Sequence, residues 1–169
     1  MAPASDDRFD ITRTFAAPRE LVFRAWTQPE HLLRWFGPAG FTMIRAEMDL
    51  RPGGRFHYGL RGPDGGEMWG LWIFREVDAP AYLEFVSSFS DPAGGATRHP
   101  MAPDWPLEML STLRLTAGAD DTTTLYLTSE AHEATAAERA AFAAGKPSMQ
   151  GGWTGTLDAL EAHLRALQA

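Results

Sequence analysis

The strongest constraint on this chain lies near its C-terminal end. Trp153, Leu157, Leu160, Leu164 and Leu167 are spaced four, three, four, three, which places them along one side of an α-helix. Asp158, Glu161 and Arg165 fall on the other side. A helix of this length alone is marginal in water. The stripe therefore demands an apolar surface to lie on, and the preceding residues must build it.

They do so as strands. Phe9, Ile11, Arg13 and Phe15 alternate with Asp10, Thr12 and Thr14, the period of a half-buried strand. Ile44, Ala46, Met48 and Leu50 alternate with Arg45, Glu47 and Asp49. Pro52-Gly53 suits the centre of a type II turn and leads into Phe56, Tyr58 and Leu60. Residues 68–77 are apolar on both parities, as in a central strand. Further strands are predicted over 82–89, 107–116 and 122–129. The short turns between most of them imply antiparallel pairing.

Two short helices interrupt the strands early, opened by Pro18 and Pro29, because proline is tolerated at a first helical position. Gly37-Pro38 stops the second. Residues 91–106 form a Gly- and Pro-rich loop, either a functional flap or a floppy connection. Thr135 and Glu138 form a capping-box pair, and Gly145 followed by Pro147 is expected to close that helix before the final one begins. Residues 1–8 read as a flexible N-terminus and 9–169 as one domain. The expected class is α+β, a curved antiparallel sheet wrapped around a long C-terminal helix.

Composition narrows the function. With 22 acidic against 15 basic residues, the formal net charge is -7, so no nucleic-acid partner is expected. The absence of cysteine excludes disulfides, thiol nucleophiles and Cys-ligated metals. No apolar run approaches the roughly 20 residues of a membrane span, and the acidic N-terminus lacks the order of a signal peptide. A soluble cytoplasmic protein is the expectation.

The runs Phe15-Ala16-Ala17-Pro18-Arg19-Glu20-Leu21-Val22 and Trp35-Phe36-Gly37-Pro38 resemble the opening of the SRPBCC (START/birch-pollen-allergen) superfamily. The branch they resemble is the bacterial homologues of the activator of heat-shock-protein-90 ATPase. Met48 to Phe56, Phe74 to Phe85 and Gly151 to Leu160 are similar to later blocks of the same family, in the same order. Together they cover the chain from Phe9 to Leu167. The resemblance implies the helix-grip fold and a cavity between sheet and long helix. That scaffold hosts lipid carriers, hormone receptors, cyclases and co-chaperone domains, so it does not settle activity. It carries no catalytic residue set.

The candidate site is that cavity. Phe56, Tyr58, Trp72, Phe74, Phe85, Met109, Leu113, Leu127, Met149 and Trp153 are expected to converge there, beside small residues such as Gly70 and Gly152 that leave space. Pockets for small molecules are mostly apolar with a few polar fixers. The expected partner is a small hydrophobic or amphipathic molecule, with Trp72, Phe74 and Trp153 as walls, Tyr58 orienting the ligand and the 91–106 loop as lid. The alternatives are a cyclase- or hydrolase-type enzyme in the same cavity and a co-chaperone-like protein-interaction module or homodimer. Exposed Trp69 or Trp105 would favour the module.

Other constellations carry less. Gly151, Gly152 and Gly155 lack phosphate-loop spacing, so close packing against the sheet is their favoured reading. No His-x-x-x-His pair exists, and His132-Glu133 with Glu130 reads as an exposed corner. No metal, cofactor or catalytic residue is assigned. His57 alternates with Phe56 and Tyr58 and is expected to face solvent or helix edges. Arg51 and Arg55 read as a solvated hairpin rather than a headgroup clamp.

Overall fold

The computed structural model describes residues 8–169. The flexible segment expected over 1–8 lies outside them except for Arg8, which opens the first strand. Strand β1 (Arg8–Phe15) is followed by helices α1 (Arg19–Thr27) and α2 (Pro29–Trp35), then strands β2 (Thr42–Met48), β3 (Arg55–Arg61), β4 (Glu67–Asp78), β5 (Tyr82–Ser90), β6 (Ala96–Thr97), β7 (Glu108–Ala117) and β8 (Thr123–His132), and helix α3 (Ala136–Leu167). The sheet is antiparallel, in the order β1-β8-β7-β5-β4-β3-β2, with β6 attached to β5. It curves around α3, the α+β arrangement expected from the alternating strands and the C-terminal stripe.

One face of every long strand is buried because its apolar residues recur with period two. Phe9, Ile11 and Phe15 of β1, Leu125 and Leu127 of β8, Leu113 and Leu115 of β7, and Leu83 and Phe85 of β5 form a continuous core with Leu157, Leu160 and Leu164 of α3. Arg13 shares the inner parity of β1, and its guanidinium reaches Asp158 of α3 at 2.8 Å. Leu167, expected in the same stripe, is 44% exposed. The fourth step of the stripe carries the helix past its buried contacts.

The β3–β4 ladder carries a ring over a glycine on each face. Tyr58 faces Gly70 on the inner side, and Gly59 faces Trp69 on the outer side. A β-carbon on Gly70 would lie 2.3 Å from the Tyr58 hydroxyl oxygen, and one on Gly59 would lie 2.7 Å from the Trp69 ring. Each glycine is therefore the floor under an aromatic ring.

Helix α3 corrects one expectation. It begins with the capping box foreseen at Thr135 and Glu138 but runs unbroken through Gly145 and Pro147. A proline inside a helix removes the N–H that would bond four residues back. Pro147 sits on the exposed side of α3, where water can reach the freed carbonyl. Continuity is favoured by burial at both ends, with Phe142 before the proline and Leu157 after it fully enclosed.

Candidate functional site

The 91–106 segment does two jobs. Its first half is a turn folded onto the outer face of the sheet. The Asp91 carboxylate accepts the N–H groups of Ala93 and Gly95, both at 2.9 Å, and these bonds hold it below the usual carboxylate range, the Gly95 bond being the largest cause. Arg55 packs against Gly94 and donates to its carbonyl oxygen. His57, expected to face solvent or helix edges, is only 2% exposed beneath this turn. Its Nε2 lies 3.2 Å from the Asp91 carbonyl oxygen, and its ring stacks on Trp69. The outward parity was right; the turn covers it.

The second half approaches α3. Arg98 donates to the Glu138 carboxylate at 2.6 Å and to the Trp105 carbonyl at 3.3 Å. Glu138 is held down to about 2, first by the Thr135 backbone N–H of the capping box and then by Arg98. The Trp105 indole lies on α3 against Phe142, with 5.5 Å between ring centroids. It rests on Gly145, where a β-carbon would be 2.6 Å from Cζ3. Gly145 is thus a seat for Trp105 and not a helix stop.

Between this segment, α3, the strand ends of β5 and β7, and the residues after α2 lies a cleft of ≈ 420 Å³. Phe36, Gly37 and Pro38 close one side, Phe89 and Met109 the floor, and His99, Ala102 and Trp105 the other side. Gly145, Ser148, Met149, Gly152, Trp153 and Thr156 form the helix wall. The walls are mostly carbon. A cleft of ≈ 510 Å³ on the outer sheet face is lined by Tyr82, Leu110 and Tyr126 together with the charged Arg8, Arg114 and Glu130, a mixed wall unlike the uncharged one beside α3.

Of the ten residues expected to converge, Met109, Met149 and Trp153 line the cleft. Phe56, Trp72, Phe74, Phe85, Leu113 and Leu127 are enclosed in the core behind it. Trp72 stacks on Phe85 with centroids 4.0 Å apart. Tyr58 stacks on Phe56 and meets Phe36 edge-on at 5.1 Å. Burial pushes the Tyr58 phenol up to about 12, opposed by the Trp72 indole N–H bonded to it. Phe36 joins this buried ring cluster to the cleft, since it belongs to both. Phe36 reads from the sequence as part of the buried side of the second helix and Gly37-Pro38 as its stop; that the three residues form one side of a cleft is not visible there.

The glycines of α3 separate by role. Gly155 has Ala39 of the loop after α2 at 3.8 Å, an ordinary contact, whereas nothing lies within 4 Å of a β-carbon built on Gly151 or Gly152. Close packing against the sheet, the expectation for the cluster, does not account for these two. Gly152 faces the cleft. It leaves open a wall that any side chain would fill, at a helix-propensity cost of up to about 1 kcal/mol relative to Ala.

Among the described residues no group of three or more His, Cys, Asp or Glu is placed to hold a metal ion. Arg51 is paired with Asp49 at 2.9 Å, and Arg55 is engaged at Gly94. His31 of α2 and His163 of α3 share a hydrogen bond of 3.0 Å between Nδ1 and Nε2. Trp26, fully buried behind Trp153 with 6.0 Å between ring centroids, has an Nε1 without a hydrogen-bond partner.

The sequence model of one family, described as Activator of Hsp90 ATPase homolog 1-like protein, matches residues 16–165. No curated protein matches the chain. Solved structures with the same fold include a protein from Arthrobacter aurescens, 26% identical over 98% of this chain and 90% of that one, with a TM-score of 0.78. A protein from Nitrosomonas europaea is 22% identical over 98% and 99%, with a TM-score of 0.75. The AHSA1 protein from Silicibacter pomeroyi is 19% identical over 96% and 99%, with a TM-score of 0.72. With nearly its whole length matched, the chain belongs to the Activator of Hsp90 ATPase homolog 1-like family of the SRPBCC superfamily.

Proposed function

We propose that this protein, acting in the cytoplasm as one domain over residues 9–169, binds a small hydrophobic or amphipathic molecule in the cleft between α3, the end of α2 and the 98–106 segment. Members of its family bind small ligands or proteins and commonly take hydrophobic ligands. The observation that carries the reading is Gly152: a helix face left without a side chain where nothing else fills the space. Met109, Met149 and Trp153 are the lining residues foreseen from sequence. The enclosed set of Phe56, Tyr58, Trp72, Phe74, Phe85, Leu113 and Leu127 holds the wall in place from behind. Removal of apolar ligand surface from water, at about 25 cal/mol per Å² before association costs, supplies the drive.

The rival readings draw less support. A protein-interaction module asks for an exposed aromatic patch. Trp69 and Trp105 are only partly exposed, and the exposed large apolar side chains Leu33, Met101, Tyr126 and Leu167 sit on four separate segments. An enzyme asks for titratable groups facing inward, and among the described residues His99 is the one titratable residue lining the cleft.

Native mass spectrometry of the purified protein tests the proposal directly. A co-purified small molecule, or a tryptophan-fluorescence response to a panel of lipids and aromatics, is the expected result. A clean apo mass with no response across the panel counts against it.

A further inference from the structure

The chemistry of the cleft wall narrows what the guest is. Among the described residues no Asp, Glu, Lys or Arg lines it, and a charge taken from water into such a setting is costly unless paired. An uncharged guest follows. The polar groups on the wall then give a direction to its hydrogen bonding.

His99 is the informative one. Its Nδ1 accepts the backbone N–H of Met101 at 3.0 Å. An imidazole nitrogen that accepts carries no proton, which leaves Nε2 as the N–H donor of this ring. The ring is held edge-on to Phe89, 4.8 Å between centroids, and to Trp105, 6.4 Å. Neither the His99 Nε2–H nor the indole N–H of Trp105 or Trp153 meets an acceptor among the described residues. Thr156 spends its hydroxyl proton on the Gly152 carbonyl at 2.9 Å. None of these ring nitrogens is among the buried atoms left without a partner, so the ring N–H groups around the cleft are donors that bond to water until a guest offers an acceptor.

We infer that the guest carries a neutral hydrogen-bond acceptor, a carbonyl-type oxygen or a ring nitrogen, on a hydrophobic skeleton, and that His99 Nε2–H receives it. This rests on the cleft taking a guest at all. His99 acts here as a specificity residue, sorting ligands of equal hydrophobicity by whether they can accept.

Three probes on one skeleton separate the two levels: 2-acetylnaphthalene, 2-ethylnaphthalene and 2-naphthoate, titrated into the full chain by ligand-observed NMR. One neutral hydrogen bond predicts that the ketone binds about three- to tenfold more tightly than the hydrocarbon, with the carboxylate weakest. In His99→Phe the ketone and hydrocarbon are expected to converge on one affinity, with the thermal midpoint of the variant reading whether the fold is intact. Equal binding of ketone and hydrocarbon in the parent chain overturns the inference. So does tightest binding of the carboxylate, or a ketone preference that survives in His99→Phe. Failure of all three probes to bind overturns the cleft reading itself, which is a different result.

Discussion

The Trp105 indole occupies the place that a β-carbon on Gly145 would need, 2.6 Å from Cζ3 to that position. A loop residue and a helix residue 40 positions apart in the chain therefore share one volume, and the size of residue 145 decides how closely the loop can lie on α3.

The first prediction contrasts two glycines of one helix. Replacing an exposed helical glycine by alanine gains up to about 1 kcal/mol of propensity, and Gly151, with nothing within 4 Å, is expected to show that gain in Gly151→Ala. At Gly145 the same gain is opposed by overpacking, typically 1–3 kcal/mol. Gly145→Ala is expected to be neutral to destabilising and to loosen Trp105. Urea unfolding followed by tryptophan emission reads both variants; a stabilised Gly145→Ala would show that the ring is free to move away.

Filling the cleft comes next. Gly152→Leu restores helix propensity and places a side chain into open space, so its thermal midpoint is expected to equal or exceed that of the parent. Affinity for 2-acetylnaphthalene is expected to fall at least tenfold. Unchanged binding in a stable Gly152→Leu would move the guest elsewhere.

The third prediction concerns acid. His163 is held below its ordinary value of 6.5, first by burial, then by His31 and Arg34. A histidine kept neutral in the fold binds fewer protons than in the unfolded chain, so stability falls as pH drops from about 6.5 through the lowered folded value. The His31–His163 hydrogen bond links α2 to α3 at 3.0 Å. Thermal midpoints at pH 7.5 and pH 5 are expected to differ less in His163→Gln than in the parent. An equal drop in both would place the acid sensitivity in other groups.

Glu138 gives the opposite end of the pH scale. Its carboxylate is held from 4.5 down to about 2, so it contributes stability above pH 4.5 that is lost progressively as pH falls toward 2. Glu138→Gln is expected to be less stable than the parent at pH 7, with the gap narrowing at pH 3. Chemical denaturation at the two pH values checks it; a gap that stays constant would assign the effect to packing alone.

Much of the architecture was readable from period alone. The alternation in 9–15 and 82–89, the Thr135–Glu138 pair and the stripe from Trp153 to Leu164 each combine local preference and burial in the same direction. Parity placed Phe56, Trp72 and Phe85 on the inner face but carries no information about depth, so it could not separate wall from core. The residues that shape the cleft were harder still. Phe89 ends the alternation of 82–89 and Phe36 ends a short helix, so period marks both as inward without showing that they open on a cleft; His99 and Trp105 come from a loop, where no period exists. Gly145 and Pro147 carry real stop signals, overridden by the burial of Phe142 and Leu157. His57 was aimed correctly, and only the three-dimensional path of Asp91–Gly95 reveals what lies above it.

The two rings resting on glycines across the β3–β4 ribbon act as an alignment key. Slide one strand by two residues and Tyr58 would sit opposite Met68 or Trp72, while Trp69 would sit opposite His57 or Arg61; in each case a side chain stands where the ring must go. Slide it by one and the ring on the strand that moved changes sides of the sheet, along with every other side chain of that strand. The hairpin can therefore zip up in one alignment only, which fixes where Phe56 and Trp72 stand behind the hollow before α3 ever arrives.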